Sequence, residues 1–179
     1  MHGTIAGIFV GGASRRMGGR PKGLLTLEGI PLVDRWRSLF DDLGVESVLV
    51  GANDAYAPRP AIQDEIQGIG PLGGLLALLR RAGSGRALAV ACDMPHVSAA
   101  LVTRLVNAPA ALAVAPRRAG RWEPLFGCYG GAAIAIAERR AREGARSLQG
   151  LLDELGASEL TLSEAEAGEL ADWDTPEDL

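Results

Sequence analysis

Short apolar runs recur along the chain, each closed by glycine, proline or aspartate, and between them apolar positions fall at helical spacing. Thr4–Val10 is such a run, ends at Gly11-Gly12, and reads as a buried strand. Pro31 followed by Leu32, Val33, Trp36, Leu39, Phe40 and Leu43, with Gly44 beyond, predicts a helix with proline at its start and glycine past its end. Ser47–Val50 reads as a second strand, followed by a turn-rich segment from Gly51 to Pro60. Pro71–Ala82 has a helical pattern, and Ala87–Ala91 is an apolar strand stopped by CDMP (92–95). Ser98 is placed to N-cap a helix running through Val106, Ala111–Ala115 reads as a strand, and Gly131–Arg142 and Ser147–Leu155 as helices.

Strands alternating with amphipathic helices predict an α/β chain: a three-layer, Rossmann-like arrangement with a mostly parallel sheet flanked by helices. No repeat and no long linker divides residues 1–179, so a single domain is expected. In such sheets ligands sit beyond the carboxyl ends of the strands, where strand order switches. The segments to search are therefore 11–22, 51–54, 92–96 and whatever follows 111–115.

Composition narrows the class. At 47% hydrophobic the chain is too apolar for a disordered protein, and no run reaches the roughly 18 apolar residues of a spanning helix. The opening MHGTIAGIFVGG lacks the cationic start of a secretory leader, so a cytoplasmic protein without membrane association is expected. A net charge of −4 argues against nucleic acid as a partner. Cys92 and Cys128 form neither a CxxC pair nor a metal-spaced set, and read as two buried thiols. Of the 18 basic residues the only lysine is Lys22, which suits a site that needs a compact ammonium on a flexible stem.

Two glycine-rich stretches compete for the role of ligand loop. GIGPLG (68–73) matches GxGxxG, with Asp93 about twenty residues on. The residues before it, PAIQDEIQ, are polar and proline-flanked, so no strand feeds it. It reads as a turn into the helix at Pro71, whose start, Gly70 included, can face an anion or a ribose. VGGASRRMGGRPKGLL (10–25) follows a strand directly and lacks the Walker spacing. Its pattern is GGxSxRMGxxxK: Gly11, Gly12, Ser14, Arg16, Met17, Gly18 and Lys22.

That loop closely resembles the signature of nucleotidyltransferases that activate a phosphorylated substrate with a nucleoside triphosphate. Within that superfamily the chain resembles the molybdenum cofactor guanylyltransferases over almost its whole length. The resemblance continues through Asn53 in VGAND, Asp64 ahead of GPLGG (70–74), CDMP (92–95), WEPLFGCY (122–129), RSLQGLL (146–152) and DWDTPEDL (172–179). Three departures stand out. Pro21 replaces an acidic residue before the lysine, FVGG replaces LAGG, and Asp172 and Asp174 replace asparagines, which is closer to the related molybdenum cofactor cytidylyltransferases. WEPLFGCY and RSLQGLL lean back toward the guanylyl type.

The resemblance implies transfer of GMP from GTP to the phosphate of a molybdenum-loaded pterin, with Mg²⁺ and release of pyrophosphate. GTP and a molybdopterin-type substrate would be its ligands, and cofactor-delivery or molybdoenzyme proteins its partners. Glycines 11, 12 and 18 let backbone N–H groups approach a triphosphate, next to Val10 at the strand end. Arg16 is the candidate clamp on the leaving phosphates and Lys22 the charge at the α-phosphate. Ser14 either bonds a phosphate or shapes the turn, and Arg15 and Arg20 read as solvated.

Asp93, taken alone, reads as a turn residue; by resemblance it is the metal ligand, with Asp174 or Asp172 as a second carboxylate. Asp64, or backbone groups of residues 9–11, would select guanine through its N1–H and 2-amino group, with Asn53 near ribose or base. On the acceptor side, Trp122 either stacks on the pterin or fills the core. Arg146 and Ser147 are expected to hold the acceptor phosphate, against the alternative of an ordinary N-cap. The competing functions are a cytidylyl or sugar-phosphate nucleotidyltransferase and, from another class, a non-catalytic nucleotide-binding module that delivers the cofactor.

Overall fold

The computed structural model describes residues 3–11, 21–64, 66, 68–109 and 112–173. Its first half runs β1 (Thr4–Phe9), β2 (Thr26–Leu27), β3 (Ile30–Pro31), α1 (Leu32–Asp42), β4 (Glu46–Val50), β5 (Ala61–Ile62), α2 (Pro71–Ala82) and β6 (Arg86–Ala91). The second half runs α3 (Ala99–Asn107), β7 (Ala113–Ala115), β8 (Arg117–Arg118), β9 (Arg121–Trp122), β10 (Phe126–Gly130), α4 (Ile134–Arg142), α5 (Leu148–Glu154), β11 (Ser158–Glu159) and α6 (Glu164–Glu169).

Seven strands form one sheet in the order β11-β7-β10-β6-β1-β4-β5, and β2-β3 and β8-β9 are separate hairpins. β1 pairs parallel with both β4 and β6, β4 with β5, and β7 with β11, whereas β10 runs antiparallel between β6 and β7. The sheet is thus mostly parallel, as the alternation of strands and helices predicts. β1 reads as a continuous apolar run because both of its faces are covered. Ile5 and Phe9 enter the core shared with α2, α4 and α5, while Ala6, Ile8 and Val10 enter the core shared with α1 and α3. Two packed cores, one on each face, give the three layers.

Close approach of α2 to the sheet depends on Gly7: a Cβ there would stand 2.5 Å from Leu78. Leu72 through Leu79 are all buried, so α2 is apolar almost all round and lies under other elements rather than at the surface. After β5 the chain crosses to the other side of β1 to add β6, which makes the carboxyl ends of β4, β1 and β6 the switch point.

Besides the two-residue strands, β10 and α6 lack a counterpart in the apolar pattern. β10, FGCYG, is short and bounded by glycine, and becomes a strand because β6 and β7 flank it. α6 is headed by a capping box between Ser163 and Glu166, an S-x-x-E signal legible in the sequence. The strand expected over 111–115 forms at Ala113–Ala115, residue 111 being outside the described residues.

Candidate functional site

Beyond the carboxyl ends of β1, β4 and β6 lies a cleft of about 410 Å³, lined among others by Val10, Gly11, Lys22, Gly51, Asp64, Gly70, Pro71, Gly74, Cys92, Asp93 and Leu125. Its floor is set by the sheet. Val10 N–H donates to the Val50 carbonyl at 3.0 Å and Cys92 N–H to the Phe9 carbonyl at 3.1 Å, which carries pairing past the strand ends. Gly51, at φ 73°, faces Gly11 closely enough that a Cβ on it would stand 3.3 Å from the Gly11 Cα.

Lys22 opens a 3-10 turn (Lys22–Leu24) headed by Pro21, whose carbonyl accepts from Leu24 N–H at 3.0 Å. Proline suits that place, since its φ of −61° is the one its ring imposes. The Lys22 ammonium lies 3.1 Å from Asp93 Oδ2, with side-chain exposures of 24% and 18%. Cys92, between the β6 end and Asp93, is buried. Burial pushes its thiol up to about 12, Asp93 adds to that, and Lys22 opposes it, so it is neither a nucleophile nor a ready metal ligand at neutral pH.

Asp64 stands at the start of α2. Its Oδ1 is sealed from solvent with no hydrogen-bond partner among the described residues, and burial raises its pKa above the ordinary carboxylate value of 3.8. The first turn of α2 makes room for it. A Cβ on Gly73 would come within 3.3 Å of Asp64 Oδ2, and one on Gly74 within 3.1 Å of Oδ1. A carboxylate held unpaired beside a cleft is costly unless a donor arrives from the cleft.

The terminal segment reaches the same place. Trp173 N–H donates to the Asp93 carbonyl at 2.9 Å, and its indole is buried edge-on to exposed His96. Asp172 is turned to Arg118, at 3.6 Å, and Arg118 also donates to Glu123 at 2.6 Å. Of the two terminal carboxylates considered from sequence, Asp172 is therefore directed to the β8-β9 hairpin, and Asp174 lies outside the described residues. So do Gly12, Ser14, Arg16, Met17 and Gly18, with Arg15 and Arg20.

Val10, Gly11, Lys22, Asp64, Gly70 and Asp93, candidates from sequence for the nucleotide site, all line this one cleft. Four expected residues are not in its wall. Asn53 is exposed, and its Oδ1 accepts from Ala55 N–H at 3.0 Å, capping the turn Asp54–Tyr56. Trp122 is buried, donates its indole N–H to Asp153 at 2.8 Å, and has the Arg117 guanidinium 3.9 Å from its ring centre. That ring has no open face for a pterin, and the core alternative is the one the structure realises. Ser147 caps α5, its hydroxyl accepting from Gly150 N–H at 3.3 Å, and Arg146 is exposed beside it. An ordinary N-cap on a seven-residue helix is what this position shows.

The two motifs around these residues have a structural tie instead. Gln149 accepts from Trp122 N–H at 3.0 Å and donates to its carbonyl at 2.7 Å, and the Tyr129 hydroxyl donates to the Pro124 carbonyl at 2.8 Å. Sequence reasoning passed over Arg118, Glu123 and Gln149, charged or amide residues next to aromatic motif positions.

Among the described residues no three His, Cys, Asp or Glu side chains gather as a metal cluster, and no helix is long and apolar enough to cross a membrane. The Asp93 carboxylate at this open cleft fits a hard cation that takes one or two protein oxygens and completes its shell with phosphate and water.

Comparison with known proteins gives concordant results. Residues 6–159 match the model of the MobA-like NTP transferase domain. A molybdenum cofactor guanylyltransferase of Pseudomonas paraeruginosa (strain DSM 24068 / PA7) is 34% identical over 179 residues, covering 95% of this chain and 89% of its own. A probable molybdenum cofactor guanylyltransferase of Opitutus terrae is 36% identical over 188 residues, covering 98% and 93%. The crystal structure of molybdopterin-guanine dinucleotide biosynthesis protein A from Archaeoglobus fulgidus superimposes with a TM-score of 0.78 at 25% identity, over 98% of this chain and 94% of that one.

Proposed function

The chain belongs to the family of MobA-like NTP transferase domains, and from that premise we propose that it transfers GMP from GTP to the terminal phosphate of a molybdenum-loaded pterin, releasing pyrophosphate. The observation that carries the choice of nucleotide is Asp64. A half-buried carboxylate at the cleft wall, one oxygen of which has no partner among the described residues, suits acceptance from both N1–H and the 2-amino group of guanine, which cytosine cannot offer.

The acceptor phosphate is already ionised near neutral pH, so the chain has two anions to position rather than a proton to remove. The acceptor oxygen forms its bond to the α-phosphorus as the bond to the β-bridging oxygen breaks and pyrophosphate departs. Gly11 offers backbone N–H at the strand end, and Lys22 supplies the charge that follows the α-phosphate into the transition state. Arg16, with Gly12, Ser14 and Gly18, is proposed as the grip on the β- and γ-phosphates. Asn53 is proposed on the ribose side of the cleft through the turn it caps, Gly70 at the helix start facing the nucleotide, and Arg146 as an exposed charge for the acceptor.

Mg²⁺ fits the oxygen donor set, with Asp93 as its ligand and Asp174 as the second carboxylate; when bound, it neutralises charge on the phosphate oxygens. The expected site of action is the cytoplasm, with a molybdoenzyme or delivery protein receiving the product.

The test is turnover of purified protein with Mg²⁺, molybdenum-loaded pterin and GTP or CTP labelled at the α-phosphate. Label incorporated into the pterin from GTP, with release of pyrophosphate, is the expected result. Incorporation from CTP in its place would make the chain a cytidylyltransferase. Nucleotide binding without turnover would make it a delivery module.

A further inference from the structure

Tyr56 ends the turn Asp54–Tyr56, between exposed Ala55 and Ala57, yet is only 2% exposed. Its phenol points under the turn that carries Lys22. A Cβ on Gly23 would come 3.1 Å from both the hydroxyl oxygen and the ring edge of Tyr56, and 2.5 Å from Val33, so Gly23 is seated between those two side chains. Cys92, which precedes Asp93, belongs to the same buried cluster. Burial pushes the hydroxyl up to about 12, Cys92 adds to that and the Gly23 N–H opposes it.

The hydroxyl oxygen is sealed from solvent, and the Gly23 N–H faces it without closing a full hydrogen bond. A buried hydroxyl without a full hydrogen bond lowers stability, and a phenylalanine would fill the same space without that loss. A phenol in this place points to a task beyond packing.

We propose that Tyr56 is a positioning residue for the charged pair. Its phenol buttresses the turn of Lys22 through Gly23 and so sets where the ammonium meets Asp93, a role that rests on the reading of the cleft as a nucleotidyl-transfer site. The same turn begins at Asn53, so the segment after β4 is tied to the lysine through one side chain.

Lys22 is the chain's only lysine, so protein labelled with [13Cε]lysine gives a single side-chain signal that reports this ammonium directly. That signal is recorded for the parent, Asp93→Asn and Tyr56→Phe, together with thermal unfolding and steady-state turnover of GTP. Tyr56→Phe is expected to unfold at or above the parent's temperature and to move its lysine signal toward the position found in Asp93→Asn. Its kcat falls about tenfold while KM for GTP stays within about twofold. Gly23→Ala, whose added methyl displaces the turn, moves the signal the same way and serves should Tyr56→Phe not fold. A lysine signal unmoved in both variants overturns the proposal, and so does a Tyr56→Phe variant with parental kcat. A parent whose signal responds to Asp93→Asn but which turns over no nucleotide sinks the transferase reading instead, and the positioning role is then decided by the Tyr56→Phe signal alone.

Discussion

The Lys22 ammonium rests 3.1 Å from Asp93 Oδ2 across the cleft, although the two residues are 71 positions apart. One stands on the glycine-rich loop that follows β1 and the other just past the end of β6, neighbouring strands of the sheet. Without substrate they neutralise each other. On the proposed reading, a nucleotide bringing phosphate and Mg²⁺ would offer each a stronger partner, the ammonium moving to phosphate as the cation takes the carboxylate. Charge in the cleft is then exchanged rather than created.

Lys22→Met therefore has opposite effects on two measurements. Turnover of GTP falls by at least about a hundredfold, the order of loss for one electrostatic group at a transition state. Nucleotide-free Mn²⁺ binding, followed by electron paramagnetic resonance, tightens about tenfold because the half-buried carboxylate has lost its competitor. Asp93→Asn is expected to abolish both. Mn²⁺ binding that weakens in Lys22→Met would show that the pair does not compete with the cation.

How much of this was legible in the sequence depends on position relative to the strands. Gly11, Lys22 and Asp93 were readable because β1 and β6 are unbroken apolar runs, and in a parallel sheet whatever follows such a run lies at the ligand end. Gly70 and Asp64 needed the distinction between a glycine turn fed by a strand and one fed by polar residues. Trp122 and Ser147 misled because burial and capping use the same residue types as binding does. Only the contacts with Asp153, Arg117 and Gly150 separate those uses. β10 was hidden because its strand character comes from its two neighbours, and Tyr56 because its burial comes from a cluster of residues remote in the chain.

Asp64 gives a pH-dependent prediction. Its folded pKa is raised by burial, so relative to the unfolded chain its neutral form is favoured. The stability it contributes is present below the unfolded value, near 3.8, and is lost as pH rises through the folded one. Asp64→Asn should therefore be more stable than the parent at neutral pH, with the difference vanishing in acid. The proposed guanine contact needs the ionised form, so thermal stabilisation of the parent by GTP should grow as pH rises through the raised pKa. Asp64→Asn should lack that pH dependence and the preference for GTP over CTP. Urea unfolding and thermal shift across pH 4–8 check each part.

Trp122→Phe separates packing from pterin stacking. The change keeps an aromatic ring and removes the 2.8 Å hydrogen bond to Asp153 and much of the surface under Arg117. A stability loss of about 1–2 kcal/mol is expected in urea unfolding, with the acceptor KM within about twofold of the parent. An acceptor KM raised tenfold at unchanged stability would return Trp122 to the pterin.

Gly74→Ala tests whether the first turn of α2 is shaped for Asp64. In a helix interior, alanine is favoured over glycine by roughly 0.5–1 kcal/mol, which alone would stabilise the protein. At this position the added methyl overlaps the Val50 side chain and comes 3.0 Å from Phe9 and 3.1 Å from Asp64 Oδ1. The first two neighbours belong to the core behind the cleft and the third to the proposed guanine contact. Overpacking of that kind costs about 1–3 kcal/mol, more than the propensity gain, so a net loss in urea unfolding is expected. Displacing the carboxylate should also raise KM for GTP several-fold while kcat is largely retained, because Lys22 and Asp93 lie on other elements. Gly168→Ala in α6 is the control. Nothing stands within 4 Å of the added methyl there, so propensity acts alone and stability should rise with both kinetic constants unchanged. If the two variants shift stability in the same direction, the room beside Gly74 is not what accommodates Asp64.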